Sequence, residues 1–273
     1  MESPKITYVK AFTTDPEKGN PVVVIEGDVN SNRVLEAVKD AHCSVAAVID
    51  TSYGRVIPVR FFYENGKQET HACGHATLGA AHVAMPLNFD SKAFQNIRGD
   101  EIKIKRHPLG SVIQEQPIAE LGELVSPEEV CRIMGIRLDQ ILTNVPTQLV
   151  GIPGKQKLAI PLSHETLLGM DDASINRRDF CGKIGATGLF PFAVDIDFAD
   201  AHARHFPNTE IEDPVCGVGG VALAKYIQEY MARERSKIHC GPGLNGVGEM
   251  IVAIKDDVSH LIGEACEYQP LAA

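Results

Sequence analysis

Apolar and polar positions alternate over residues 6–12, and the chain then meets Gly19-Asn20-Pro21 before an apolar run at 22–25. Alternation, a turn signal and a buried run together predict a β-hairpin. The period changes over 31–41, where Val34, Ala37, Val38 and Ala41 share one helical face. β-Branched strands are expected at 45–49 and 56–63, with Asn65-Gly66 turning the chain into a further strand. A stretch of mostly small residues, 74–84, reads as a helix stopped by Pro86, and strand-like pieces follow at 101–105 and 111–114. Residues 117–125 show no clear period and mark the expected domain boundary. Beyond it, Ser126-Pro-Glu-Glu129 combines a cap, a first-turn proline and acidic residues against the dipole, which is a helix start. Strands are expected at 148–160, broken at Pro153-Gly154, and at 188–195 and 249–255, with a long helix from 214 to about 233.

One internal similarity stands out. Glu69-Thr-His-Ala-Cys73-Gly74-His75-Ala76 resembles Glu212-Asp213-Pro214-Val-Cys216-Gly217-Val218-Gly219, and Ala81 and Ala224 each fall eight residues after the cysteine. Both frames read Glu, three residues, Cys-Gly, then a helix of small residues. A two-fold duplicated architecture follows, with one unit per half: residues 1–117, to which 258–273 can return, and residues 118–257.

Composition narrows the function classes. The 273 residues, 44% of them hydrophobic, suffice for a sizeable core. Thirty-six acidic against 26 basic residues give a net charge of −10, which repels phosphate backbones and argues against nucleic-acid binding. No run approaches the roughly 18 apolar residues of a membrane span, and residues 1–10 lack a signal-peptide pattern. The seven cysteines (43, 73, 131, 181, 216, 240 and 266) are scattered and odd in number, so they read as reduced thiols of a cytoplasmic protein.

A cysteine that opens a helix sits beside unpaired N–H groups and the positive end of the dipole, which favours the thiolate. The same N–H groups can hold a carboxylate, and Gly74 and Gly217 let a ligand approach the backbone. Two such thiols facing one carbon could take a proton from one side and return one from the other, without a cofactor. Most free cysteines are simply small buried hydrophobes; here the matched frames at both sites argue for chemistry. Metal binding ranks lower: His71-x-Cys73-x-His75 and His239-Cys240 carry donors, but the usual zinc spacings are missing. The run from Gly241 through Gly243 to Gly246 matches the dinucleotide fingerprint in letters only, because a strand follows it where a helix is required. The acidic residues between Asp195 and Asp200 read as a solvated turn, and Asp171-Asp172 as surface charge or a cap.

Phe12 with Gly19-Asn20-Pro21, then Val59-Arg60-Phe61-Phe62, Glu69 with Cys73-Gly74-His75-Ala76, Arg204-His205-Phe206-Pro207 and Glu212-Asp213-Pro214-x-Cys216-Gly217 together resemble the phenazine-biosynthesis-protein F-like family, related to diaminopimelate epimerase and proline racemase. The resemblance runs in order over almost the whole chain. It implies an α+β, diaminopimelate epimerase-like fold: two similar domains, each a curved and mostly antiparallel sheet around a central helix, with the active site between them. It also implies cofactor-independent proton movement next to a carboxylate on a small amino-acid or carboxylic-acid substrate, and leaves a homodimer open. Phenazine-type members carry a catalytic glutamate that falls here near Cys43-Ser44-Val45, where no acid is present. They usually lack cysteine at positions 73 and 216; two cysteines resemble the racemase branch instead. Val218 stands where those members have serine, and Cys240-Gly241 replaces a Gln-Gly.

Cys73 and Cys216 are therefore the expected catalytic pair. Asn20, Gly74, His75, Asp213, Gly217 and Val218 are the expected substrate-binding residues, and neither metal nor cofactor is expected. A two-thiol amino-acid racemase or epimerase is the leading reading. A double-bond isomerase working by a 1,3-hydrogen shift comes next, and an inactive small-carboxylate binder last.

Overall fold

The computed structural model describes residues 4–52, 54–66, 68–85, 92–171, 177–208, 211–244 and 246–270. Pro86, the expected helix stop, and Asp172 lie outside the described residues. The chain divides into two units, Met1–Glu115 with Leu261–Ala273, and Gln116–His260.

In the first unit the expected hairpin forms from β1 (Lys5–Ala11) and β2 (Asn20–Glu26), antiparallel, with Val9 opposite Val22. Helix α1 (Ser31–Asp40) is capped by Asn30, whose side chain accepts the Arg33 N–H at 3.0 Å. It carries the chain back so that β3 (Val45–Ile49) lies parallel to β2, a pairing that needs such a crossover. Strand β4 (Val56–Tyr63) runs antiparallel to β3 and turns through Gly66, at φ +64°, into β5 (Glu69–Thr70). Helix α2 (Gly74–Ala84) follows. Then come β6 (Lys92–Gln95), parallel to β4, and β7 (Glu101–Arg106) and β8 (Val112–Pro117), each antiparallel to its predecessor.

Helix α2 is buried from Gly74 through Ala81 and packs on β1, β2 and β3. Its small side chains permit that approach: a Cβ added at Gly79 would sit 2.5 Å from Val22 Cγ1. The other face of the same strands is covered by α1, through Val34, Ala37 and Val38 against Val23, Ile25, Ala46, Val48 and Phe62. Burial on both faces explains why β2 and β3 are continuous apolar runs instead of alternating ones.

The second unit repeats the order. Strand β9 (Glu120–Leu124) and helix α3 (Pro127–Met134) precede the hairpin of β10 (Gln148–Ile152) and β11 (Lys155–Pro161). Two short helices, α4 (His164–Leu168) and α5 (Arg178–Ile184), make the crossover to β12 (Gly188–Ala193), parallel to β11. Strands β13 (Ala201–Ala203) and β14 (Phe206–Pro207) run antiparallel to β12. Helix α6 (Gly217–Met231) is the counterpart of α2 and packs on β10, β11, β15 (Arg235–Cys240) and β16 (Gly248–Lys255). Strand β15 is parallel to β13 as β6 is to β4, and β16 is antiparallel to β15 as β7 is to β6. After β17 (Val258–Gly263) the chain returns to the first unit, where β18 (Ala265–Glu267) pairs antiparallel with β1.

Three details differ from the sequence reading. The unpatterned segment 117–125 contains β9, antiparallel to β10; Gly122 interrupts its alternation, with Leu149 Cβ only 3.0 Å from where a side chain would begin. The helix expected from 214 starts at Gly217, because Cys216 is its extended N-cap. Strand β15 buries Ser236 alongside Ile238 and Cys240, so a polar residue occupies an inward position and hides the period.

Candidate active site

Strand β5 delivers the chain to α2 through Cys73, which is the N-cap residue with extended backbone (φ −153°, ψ 107°). Its carbonyl accepts the Thr77 N–H at 2.9 Å and the Thr77 hydroxyl at 2.8 Å, which pins the first turn. The Cys73 sulfur, in a half-buried residue, lies 3.5 Å from Nδ1 and 3.8 Å from Nε2 of the buried His75. The Gly74 carbonyl accepts from the buried Gln114 amide at 2.9 Å. Asn20 is buried at the start of β2, opposite Ala11.

In the second unit Cys216 occupies the same place on α6 (φ −103°, ψ 104°), and its sulfur accepts the Gly219 N–H at 3.3 Å. Around it gather residues that the sequence reading partly missed. Asp213 Oδ2 lies 2.9 Å from His205 Nδ1, and the Lys157 ammonium lies 2.8 Å from His205 Nε2. His205 and Lys157 are both buried. Burial alone would push the Cys216 thiol up. The positive charge at His205 and Lys157, with a hydrogen bond from His205, outweighs both burial and Asp213 and brings it down to about 7. Burial likewise works against the charged form of His205, and so does Lys157, but the Cys216 thiolate and the bond to Asp213 leave it raised. Cys240, on β15 nearby, goes the other way. Burial first, then the negative charge of Cys216 and Asp213, holds it well above its ordinary value, so it stays a thiol.

Just upstream of each thiol stands a repeated clamp. Arg204 grips Glu212 with two bonds, Nε to Oε1 at 2.9 Å and a terminal nitrogen to Oε2 at 2.7 Å, and its guanidinium lies 4.9 Å from the Phe206 ring centre. Arg60 grips Glu69 in the same way and lies 4.7 Å from the Phe62 ring. The duplicated frame is thus longer than Glu-x3-Cys-Gly: it begins with Arg-x-Phe in each half. Arg-x-Phe is visible in the sequence, but Glu69 lies nine positions after Arg60 and Glu212 eight positions after Arg204, so a fixed-spacing comparison passes over it.

Of the expected binding residues, Gly74 and His75 lie beside Cys73 in the first turn of α2. Gly217 and the buried Val218 follow Cys216 on α6, and Asp213 joins it through His205. Among the described residues, one set of three metal-donor atoms comes within 4.8 Å of one another: His205, Asp213 and Cys216. Lys157 Nζ, 2.8 Å from His205 Nε2, occupies the place that a cation bound to that nitrogen would need. Other histidines form a separate chain. His164 Nε2 meets His202 Nδ1 at 2.8 Å and His202 Nε2 donates to the Gly241 carbonyl at 2.8 Å, with burial pushing His202 down to about 4. The glycine run after Cys240 leads into β16, so no helix follows it; Asn245 within that run lies outside the described residues. Asp195 and Asp200, read as a solvated turn, serve as acceptors instead: Asp195 takes the His164 N–H at 2.9 Å and Asp200 the Lys237 N–H at 2.8 Å.

Known proteins share this architecture. A phenazine biosynthesis protein of the PhzF family from Bacillus anthracis superposes with a TM-score of 0.84 at 17% identity, covering 100% of this chain and 99% of that one. A hydroxyproline epimerase from Agrobacterium vitis, solved with trans-4-hydroxy-L-proline, superposes at 0.57 with 13% identity, covering 96% and 88%. The fold is therefore the α+β, diaminopimelate epimerase-like one that the sequence implied. In sequence the chain is 26% identical to the uncharacterized isomerase YddE of Escherichia coli O157:H7, over 93% of this chain and 92% of that protein. It is 23% identical to the uncharacterized isomerase YfhB of Bacillus subtilis, over 96% and 94%. Residues 9–266 match the PhzC-PhzF profile, and the chain belongs to that family of phenazine biosynthesis-like proteins.

Proposed function

We propose that this protein is a cofactor-independent isomerase that moves a proton at the carbon next to a carboxylate, and that it acts on an amino acid as a two-thiol racemase or epimerase. The observation that carries this reading is Cys216: a buried thiol at a helix start, brought to about 7 by His205 and Lys157, where a general base works best at neutral pH. Cys73 occupies the matching position of the other unit. In this reading one thiolate takes the α-proton and becomes a thiol. The electron pair left on carbon is delocalised into the substrate carboxylate, held by the N–H groups of the helix starts. The opposite thiol gives its proton to the other face and becomes the thiolate, so charge and protons balance. Asn20, Gly74, His75, Asp213, Gly217 and Val218 are the proposed substrate contacts. Relatives named isomerases support the reaction class.

Family membership favours one second reading, a hydrogen shift that returns the proton to a different carbon and moves a double bond. The two separate in D2O. Amino acids and unsaturated carboxylates are incubated with the enzyme and followed by proton NMR. A racemase deuterates the α-carbon of the product first and brings both enantiomers to equal amounts. A new vinylic resonance with an equilibrium far from unity supports the second reading and removes the first.

A further inference from the structure

The two units can be aligned residue by residue through strand register. Phe62 pairs with Ala46 and Phe206 with Leu189, so Ala46 and Leu189 correspond. Ala46 in turn lies beside Val23, and Leu189 beside Leu158. Stepping back one residue along β2 and β11 makes Val22 the counterpart of Lys157; these two face Val9 and Val150 respectively. By the same alignment Phe61 corresponds to His205, and Thr70 to Asp213, since Phe61 pairs with Thr70 as His205 bridges Asp213. Each charged residue around Cys216 therefore has an uncharged counterpart in the first unit.

We infer that Lys157 is a positioning residue which, through His205, keeps Cys216 as the thiolate of the resting enzyme and makes it the base that opens the reaction. Among the described residues, the metal-donor atoms of His205, from the β13–β14 turn, and Asp213, from the segment before α6, lie within 4.8 Å of the Cys216 sulfur; Lys157 from β11 reaches His205, and Cys240 from β15 also acts on the thiol. Lys157 Nζ and His205 Nε2 lie 2.8 Å apart, so this basic pair sets its positive charge beside the sulfur. Asp213, on Nδ1, fixes the ring so that Nε2 faces Lys157. A buried lysine with no such task would be costly, because its charge has left water. When Cys216 takes a proton from carbon it becomes a neutral thiol, and the positive charge of the pair is then balanced by Asp213. When the reaction runs back, the thiol returns its proton to carbon and the thiolate is restored.

This inference rests on the two-thiol reading for its consequence, but its test does not depend on turnover. The thiolate absorbance of the full-length protein is titrated in the ultraviolet, with Cys216→Ser as the reference. The difference should show one thiolate with a midpoint near pH 7. Lys157→Met should move that midpoint up by about one pH unit or more, roughly a tenfold loss of thiolate below it. Lys157→Arg, which keeps the charge, should restore most of it. Should Lys157→Met fail to fold by circular dichroism, Lys157→Gln and His205→Gln carry the same expectation. A midpoint unmoved in the folded variants would overturn the inference. A low midpoint in a protein that isomerises no substrate would leave it standing while removing the proposed function.

Discussion

A thiol that removes a proton from carbon has to be ionised when the substrate arrives, and a serine hydroxyl in its place is far too weak an acid to alternate between the two states. Cys73→Ser and Cys216→Ser should each lower kcat by about a thousandfold or more while the circular dichroism spectrum is unchanged. In the proposed mechanism Cys216 is the base and the other thiol the acid, so kcat/KM in both directions should fall as pH drops through about 7 and fall again where the acid thiol loses its proton. Steady-state rates across pH 5.5 to about 9 check this. Activity close to wild type in either serine variant would end the two-thiol mechanism. At this scale the sequence disclosed where both cysteines sit, at the starts of matching helices, because a repeated Glu-x3-Cys-Gly frame is local. It did not disclose His205 as a partner or Lys157 at all. Lys157 lies 59 positions before Cys216 and looks like any strand lysine until strand pairing brings it to the helix start.

Among the elements, the two clamps offer a controlled comparison, since chemistry and geometry are alike and burial differs. The Arg204–Glu212 side chains are 6% and 13% exposed; those of Arg60–Glu69 are 49% and 23% exposed. Removing one partner of a buried pair leaves an uncompensated charge, whereas an exposed pair is screened by water. Arg204 also donates to the carbonyls of Leu167 and Met170, at 3.1 and 2.7 Å, and so ties down the end of α4. Arg204→Met should therefore cost about 3–5 kcal/mol. Arg60→Met should cost about 1 kcal/mol or less, both read from urea unfolding. Equal costs would show that the clamps are not distinguished by burial. Elements with strong local signals, such as the first hairpin, α1 and the capped start of α3, were legible. Those that hide a polar residue inside or carry a glycine at a close approach, β15 and β9, were not, because packing sets their period instead of local pattern.

At the level of the molecule, the duplication is the most informative feature: one order of strands and helices occurs twice, each time leading into a helix whose N-cap residue is a cysteine. No helix among the described residues is long and apolar enough to cross a membrane. A proton shuttled between sulfur and carbon needs no electron carrier or Lewis acid. The purified protein should thus keep full activity after exhaustive dialysis against a chelator and show no cofactor absorbance. Activity recovered only on adding metal or cofactor would mean that the His205, Asp213 and Cys216 set has a different task. The duplication was legible through two repeated motifs and the family resemblance. The extent of the repeat became visible only through strand register, since insertions of different length separate the matching residues.

In a racemase of the proposed kind, the difference between Val22 and Lys157 bears on the kinetics. Enantiomers have equal free energy in water, so the ratio of kcat/KM in the two directions of a racemase is fixed at one, however the enzyme is built. Half-sites that differ in charge need not share one kcat, however. Any advantage in turnover on the side opened by Cys216 must then be matched by a proportionally higher KM for that enantiomer. A duplicated scaffold with unequal thiols is thereby free to set the substrate concentration at which each direction saturates, while the Haldane relation leaves the final mixture untouched.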